Sequence, residues 1–338
     1  EPSTVTNGND WFINWADFPS VIHFNQNEYA AHWLKKSGES TYAYDTYISI
    51  SKNNGKSWSQ PIKAHEDKTQ TEHGFLSFYE HKNELGFIYL DGRKMANKAT
   101  HDKSHSSMSL RSGSIDRNLN LNNTQNIDGL VCECCQTDIT VTDRGPIGVY
   151  RDRSEEEYRD IYITKLENES WSEGKPLHLD NWKINGCPVN GPVITGNNNE
   201  ITVAWYTRSG GKSNIKVAKS FDYGETFNEP LLIGTNETVG HISMTTDSKR
   251  NTWLLWQKTA KKGLVELVLT KIEPDSNQIM HKIIEEAGKS PRFSFPQIIR
   301  NDETIILAYT TVINDSRETR SSNRKTSIKS LSFNANLY

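Results

Sequence analysis

Long apolar runs are missing from this sequence, cysteine is scarce, and neither sign of charge prevails. No stretch approaches the roughly 18 apolar residues that a membrane-crossing helix needs. Lys and Arg number 39 against 42 Asp and Glu, a formal net charge of −3. Nothing global therefore draws the chain to nucleic acid or to an anionic membrane. Four cysteines in 338 residues are too few for a disulfide scaffold of this size. The chain opens at EPSTVTNGND with neither a start methionine nor a signal peptide, which suggests a mature or trimmed chain following a secretion signal. What is plentiful is aromatic: 9 Trp and 13 Tyr beside 21 Gly, a composition that favours strands and turns.

A repeat organises the rest. SKNNGKSW (51–58) and SFDYGETF (220–227) share Ser-x-Asp/Asn-x-Gly-x-Ser/Thr-aromatic. The acidic or amide side chain folds back on backbone N–H groups, the glycine takes a positive φ, and the aromatic anchors the next strand. This pattern resembles the Asp box of sialidase-type β-propellers, a structural turn with no chemistry of its own. Around these turns one cadence recurs. Aromatic-rich second strands are expected at 28–34, 84–90, 146–152, 200–206, 251–257 and 303–309, third strands at 45–51, 160–166 and 214–220, and fourth strands at 60–64, 175–179 and 229–233. The reading is all-β: a six-bladed β-propeller of four-stranded antiparallel blades, one domain over 1–338. No fourth strand follows TSIKSLSF (326–333), and the N-terminal PSTVTN is expected to supply it and leave no open edge.

In such blades the inner strand starts at the face that the loop between strands two and three also reaches. The six starts carry Asp17, His73, Cys135, Cys187, His241 and Phe293, at intervals of 52 to 62 residues. The loops add Lys35, Tyr42, Tyr44, Arg93, His101, His105, Arg151, Arg153, Arg159 and Arg208. Arginines at alternate positions, such as Arg151 and Arg153, can meet an anion. The acids of RDRSEEEYRD (151–160) are equally able to neutralise them.

Most of the chain resembles sialidase-like propeller proteins of environmental bacteria, often labelled exo-α-sialidases. The likeness runs through ADFPS (16–20), AHWLKKSGESTYAYD (31–45), TEHGF (71–75), LDGR (90–93), VCECCQTD (131–138), VYRDRS (149–154) and GCPVNGP (186–192). It implies the six-bladed fold and a periplasmic, outer-membrane-anchored or secreted setting. True sialidases use an arginine triad, a Tyr nucleophile with a Glu partner, and an Asp acid/base. The first arginine of that triad is replaced here by Asp17, so poor turnover of simple sialosides is expected.

The cysteines allow three uses. Cys132, Cys134, Cys135 and Cys187, with His73 or His241, are expected to hold a soft metal ion, copper favoured over zinc. A disulfide is the second use: Cys132 or Cys135 with Cys187, or Cys134 with Cys135. A Cys nucleophile with His73 as base is the third. Metal binding is the leading expectation. The alternative is a glycan-active enzyme, a hydrolase or lyase on an anionic sugar. Its acid/base groups would be Asp17, Glu72, Asp138 and Tyr44, its anion clamp Arg93, Arg151, Arg153 and Arg208. A monomer is expected, with a metal ion or an anionic glycan as partner.

Overall fold

The computed structural model describes residues 3–97, 107–274, 278–287, 293–312 and 326–337. His101 and His105 lie outside them. Every sheet is antiparallel between chain neighbours, and the only helical pieces among the described residues are short 3₁₀ turns. The fold is an all-β six-bladed propeller built from two compact units, Glu1–Val189 and Asn190–Tyr338, of three sheets each.

The first unit begins with β1 (Ser20–Asn25), β2 (Glu28–Lys36), β3 (Tyr44–Ser51) and β4 (Ile62–Lys63). The second sheet holds β5 (His73–His81), β6 (Glu84–Asp91), β7 (Met108–Ile115) and β8 (Leu121–Val131). The third holds β9 (Asp138–Thr142), β10 (Gly145–Arg151), β11 (Ile161–Glu167), β12 (Ser170–Trp171) and β13 (Lys175–His178), the last two both pairing with β11. In the second unit come β14 (Val193–Asn197), β15 (Glu200–Thr207), β16 (Asn214–Ser220) and β17 (Leu231–Thr235), then β18 (Thr238–Thr246), β19 (Thr252–Thr259), β20 (Val265–Ile272) and β21 (Ile279–Ala287). A three-stranded sheet of β22 (Gln297–Asn301), β23 (Thr304–Val312) and β24 (Thr326–Asn334) completes it.

Strands read as unbroken apolar runs where both of their faces are covered. In β19, Trp253 and Leu255 pack with Ile305 and Leu307 of β23. Their neighbours Leu254 and Trp256 turn the other way, onto Ala204, Ile215 and Val217. Period-two alternation thus lets one central strand serve two cores. In the first unit Ile48, Ile50, Leu85, Phe87 and Tyr89 do the equivalent work.

The two repeated turns form as their residues dictate. Asn53 Oδ1 accepts from the Ser57 N–H at 2.9 Å, and Asp222 Oδ1 from the Thr226 N–H at 2.9 Å. Gly55 and Gly224 take φ of 76° and 74°, which glycine adopts without strain. The N-terminal residues depart from expectation. Ser3–Thr6 form no strand; Ser3 instead donates to the Gly55 carbonyl and accepts from the Trp58 indole. Among the described residues the sixth sheet keeps three strands.

Candidate active site

The antiparallel order sets the residues before β1, β5 and β9 at the same ends of their sheets as the β2–β3 and β10–β11 loops. There Tyr44, fully buried, donates to Asp17 Oδ2 at 2.7 Å and lies 2.9 Å from Glu72 Oε1. Backbone geometry makes the meeting. Tyr44 opens β3, bridges in parallel to Glu72, and its N–H donates to the Thr71 carbonyl at 3.1 Å. Phe12 stacks on its ring at 3.9 Å. Asp17 sits in a turn closed by Asn14 Oδ1, which accepts from the Ala16 N–H at 2.8 Å.

A bulge in β5 between Gly74 and Ser77 completes the cradle. Phe75 takes a φ of 52°, a strained conformation for a non-glycine residue. Its N–H is thereby turned onto Asp17 Oδ1 at 3.0 Å. A Cβ at position 74 would overlap the Asp17 carboxylate and the Tyr44 ring, so only glycine fits.

One phenol carries one proton and cannot donate fully to two carboxylates. One of the two acids must carry a proton and donate back to the phenol oxygen. The electrostatics agree. Burial pushes Asp17 up to about 7, against the pull of the Tyr44 and Phe75 bonds. Burial likewise pushes Glu72 up to about 7, with the charges of Asp17 and Glu133 adding to it. Burial and the two acids hold the Tyr44 phenol well above its usual range. Asp17 is nearly enclosed, whereas Glu72 is partly exposed and forms the outward end of the group.

Directly behind lies a second buried cluster. His73 Nδ1 faces Asp45 Oδ1 at 3.4 Å, the Thr71 carbonyl at 3.1 Å and the Tyr44 carbonyl at 3.4 Å. Its Nε2 faces Asp67 Oδ2 at 3.1 Å and Asp91 Oδ2 at 3.9 Å. Burial opposes a charge on this ring, but Asp45, Asp91 and Asp67 outweigh it and raise its pKa. Acceptors at both nitrogens favour the protonated ring of His73. His65 stacks on it at 3.9 Å and reaches Asp45 Oδ1 at 3.1 Å, while Lys63 holds Asp45 Oδ2 at 2.6 Å. Asp45, His65 and His73 thus come together in a charge-paired support beneath Tyr44 and Glu72.

The arginines pair internally. Arg153 and Arg159 both bind Glu133 and Glu157. Buried Arg151 donates to the Arg159 carbonyl at 2.6 Å and lies over the Trp182 ring at 5.0 Å. Arg93 grips Asp91 through Nε and Nη2 at 2.8 and 2.7 Å. Arg208, in the other unit, is exposed and contacts its own loop at the Gly211 carbonyl, 3.4 Å away. Asp138 opens β9, its Oδ1 accepting from the Ile139 N–H at 2.9 Å.

The cysteine segment joins the same region, since Gln136 Nε2 donates to the Ala16 carbonyl at 2.7 Å. Cys134 is bonded to Cys187, a pairing that differs from each of those expected. Cys132 and Cys135 are buried thiols 3.2 Å apart at sulfur, and Cys132 Sγ lies 3.8 Å from Cys187 Sγ. The sulfurs of Cys132, Cys135 and Cys187 all fall within 4.8 Å of one another. His73 belongs to the aspartate cluster instead. His241 is held within the second unit, its N–H on Asn190 Oδ1 at 2.8 Å and its Nδ1 3.1 Å from the Ser294 carbonyl. Sequence reasoning missed Glu133, although it stands inside the CECC motif, and it missed Asp45, Asp67 and His65. Asp45 was signalled only by a polar side chain alternating with apolar ones in β3, and His65, Asp67 and Glu133 lie between strands, where no periodicity reveals what they face.

No family model matches the chain, and no curated protein matches it in sequence. Similarity is found in solved structures. A sialidase of Streptococcus pneumoniae superposes with a TM-score of 0.54 at 12% identity, over 86% of this chain and 64% of that one. The present chain therefore spans less than two thirds of that sialidase. An α-L-arabinofuranosidase of Fusarium graminearum gives 0.59 at 10% identity, covering 95% and 93%. A protein of unknown function from Dyadobacter fermentans gives 0.60 at 11%, covering 94% of each chain. At such identities the likeness is one of fold: a propeller shared with sialidases and other glycan-active proteins. Among the described residues no helix is long and apolar enough to cross a membrane.

Proposed function

We propose that the protein cleaves glycosidic bonds, with Glu72 as the proton donor. The observation that carries this reading is the Tyr44 hydroxyl held between the two carboxyl groups of Asp17 and Glu72. That arrangement keeps one carboxyl protonated near neutral pH, the property a general acid needs. Glu72 faces outward and hands its proton to the departing glycosidic oxygen; Tyr44 and Asp17 share and replenish the proton from behind. Glu133, ion-paired with Arg153 and Arg159, is the second carboxylate. It stabilises the positive charge that builds on the sugar ring as the bond breaks. Because Tyr44 is fully buried, it acts here as a proton carrier rather than as the attacking atom.

The substrate follows from the arginines. Arg93, Arg151 and Arg153 already have partners, so none of these three is left to clamp a sugar carboxylate. The reading is therefore an uncharged sugar at the cleaved bond, in place of the anionic one expected from the sequence. A copper or zinc site rests on less. Cys134 and Cys187 are joined to each other, and the Arg159 guanidinium lies against Cys132 Sγ at 3.3 Å, a poor neighbour for a cation. Secretion, to the periplasm or beyond, fits an enzyme acting on glycans outside the cell.

The test is a panel of aryl glycosides of uncharged sugars alongside an aryl sialoside, with aglycone release measured for the native chain and for Glu72→Gln. Release from at least one uncharged glycoside, lost in the variant, supports the reading. Release confined to the sialoside overturns the substrate assignment, and equal rates in the two proteins overturn the role of Glu72.

A further inference from the structure

The CECC motif contains Cys-x-x-Cys, Cys132 to Cys135, a spacing that favours redox-active dithiols. The structure divides the four sulfurs into an inner pair and an outer pair. Cys132 and Cys135 are 1% and 2% exposed, while Cys187 is exposed and Cys134 partly so. The outer pair is a disulfide, and the inner pair are thiols. Cys132 Sγ sits between them, 3.2 Å from Cys135 Sγ and 3.8 Å from Cys187 Sγ. Its segment is pinned on both sides, by the Cys132 N–H on the Arg151 carbonyl at 3.0 Å and by Arg159 Nη1 on its sulfur at 3.3 Å. A structural disulfide does not need two thiols within reach of its sulfur, and inert core cysteines do not need a guanidinium.

We propose that the four cysteines form a thiol–disulfide exchange centre, in which the disulfide migrates between the outer pair Cys134–Cys187 and the inner pair Cys132–Cys135. In the first step the Cys132 thiolate attacks Cys187 Sγ. The Cys132–Cys187 bond forms, the Cys134–Cys187 bond breaks, and its electron pair leaves on Cys134, which takes a proton from solvent. In the second step Cys135, having lost its proton to solvent, attacks Cys132 Sγ. The Cys132–Cys135 bond forms and Cys187 departs as a thiolate. No net oxidation occurs, so no outside oxidant or reductant is required; the reducing equivalents simply move outward, where a small-molecule disulfide or a protein disulfide can meet them. The environment suits the first step. The Arg159 guanidinium on the Cys132 sulfur is placed to favour a thiolate there over a thiol. This centre does not depend on the glycosidase reading and is tested without any sugar.

The test takes the full chain, purified without reductant, held at pH 7.5, quenched in acid, labelled with a maleimide at low pH and mapped by mass spectrometry. The expected result is two connectivities, with label on Cys134 and Cys187 accompanying a Cys132–Cys135 disulfide. Exposure to maleimide before the quench should drive that form forward by trapping the outer thiols. In Cys132→Ser the outer thiols should label at least tenfold more slowly. Cys135→Ser should accumulate the Cys132–Cys187 disulfide, which decides the question even if Cys132→Ser folds poorly. A single Cys134–Cys187 connectivity under all conditions, in the native chain and in Cys135→Ser, would overturn the proposal. Stoichiometric copper or zinc bound to thiols, with no disulfide present, would overturn it as well.

Discussion

The two units build the same backbone device and finish it differently. In the first, the bulge of β5 turns the Phe75 N–H onto Asp17. In the second, β18 bulges between Gly240 and Ser243, His241 takes a φ of 50°, and its N–H meets Asn190 Oδ1 at 2.8 Å. Each bulge is preceded by a glycine whose Cβ would collide with the acceptor side chain. An amide oxygen therefore satisfies the device. A carboxylate at the same place adds the burden of a buried ionisable group, visible in the rise of Asp17 to about 7, without adding anything the bulge needs. The surroundings match the choice. Near Asn190, buried Gln257 donates to the Ser294 carbonyl at 2.7 Å, a neutral pairing. Near Asp17 stand Tyr44 and Glu72. The carboxyl of Asp17 is thus more than the bulge requires, which accords with the proposed role in proton donation.

Exchanging the two finishes breaks the comparison most sharply at Glu72 and Asp17. Glu72→Gln should lower glycoside turnover by about 10²–10⁴-fold, the usual range for a general acid, with unchanged circular dichroism. Asp17→Asn should remove most turnover while the chain still folds, as the Asn190 bulge does; a variant that fails to fold would show the charge to be structural after all.

Beneath both residues, Asp45→Asn should cost about 3–5 kcal/mol in urea unfolding, since it removes the buried carboxylate shared by Lys63, His65 and His73. The pH signs separate the two clusters. Asp17 and Glu72 are raised from 3.8 and 4.5 to about 7, so the folded chain holds more protons than the unfolded one across that window. Their contribution to stability falls as pH climbs from about 4 to 7. Asp45, Asp67 and Asp91 are lowered, each against the cost of burial, and their contribution is lost as pH falls below about 4. His73 is raised, so its share is complete below its ordinary pKa and fades as pH rises through the folded value. Unfolding midpoints of Asp17→Asn against the native chain should therefore converge at pH 4 and separate by pH 8, the variant being the more stable.

The reciprocal change, Asn190→Asp, should carry the burden into the second unit. The expected loss is roughly 1–3 kcal/mol greater at pH 8 than at pH 5, read from the same midpoints. The smallest effect belongs to Tyr44→Phe. Its hydroxyl lowers both acids, so removing it should move the alkaline limb of the pH–rate profile, which follows deprotonation of Glu72, upward by under about one unit while leaving the fold intact.

Much of this was legible in the sequence, for identifiable reasons. The strands announce themselves because WLLW in β19 and FIYL in β6 must be apolar on both faces, and the two Ser-x-Asp/Asn-x-Gly turns because only those side chains bond back as they do. Asp17, Tyr44 and Glu72 could be nominated from position alone. Their sharing of one proton could not, since it depends on a bulge that strand patterns hide. The cysteine pairing was illegible for a combinatorial reason: three of the four lie within four positions, and spacing does not choose among their partners. The arginines misled because an arginine in a loop looks the same whether it awaits a substrate or is already matched, as Arg153 is by Glu133 and Glu157. The contact between Ser3 and the Gly55 turn, found where a strand was expected, is one that no periodicity foretells.

The adjacency of Tyr44 to Asp45, and of Glu72 to His73, constrains how such a protein can vary over generations. Successive strand residues point to opposite faces. One inserted residue at the start of β3 would exchange the Tyr44 phenol for the Asp45 carboxylate and disrupt both clusters at once. Length changes are therefore safe only upstream, in residues 37–43, where the Ser37 N–H and the Ala43 carbonyl close the loop at 2.9 Å. Under the proposed function, specificity can vary there, where Gly38 lies against Gln70, while the Tyr44 and Glu72 pairing is inherited as a single block.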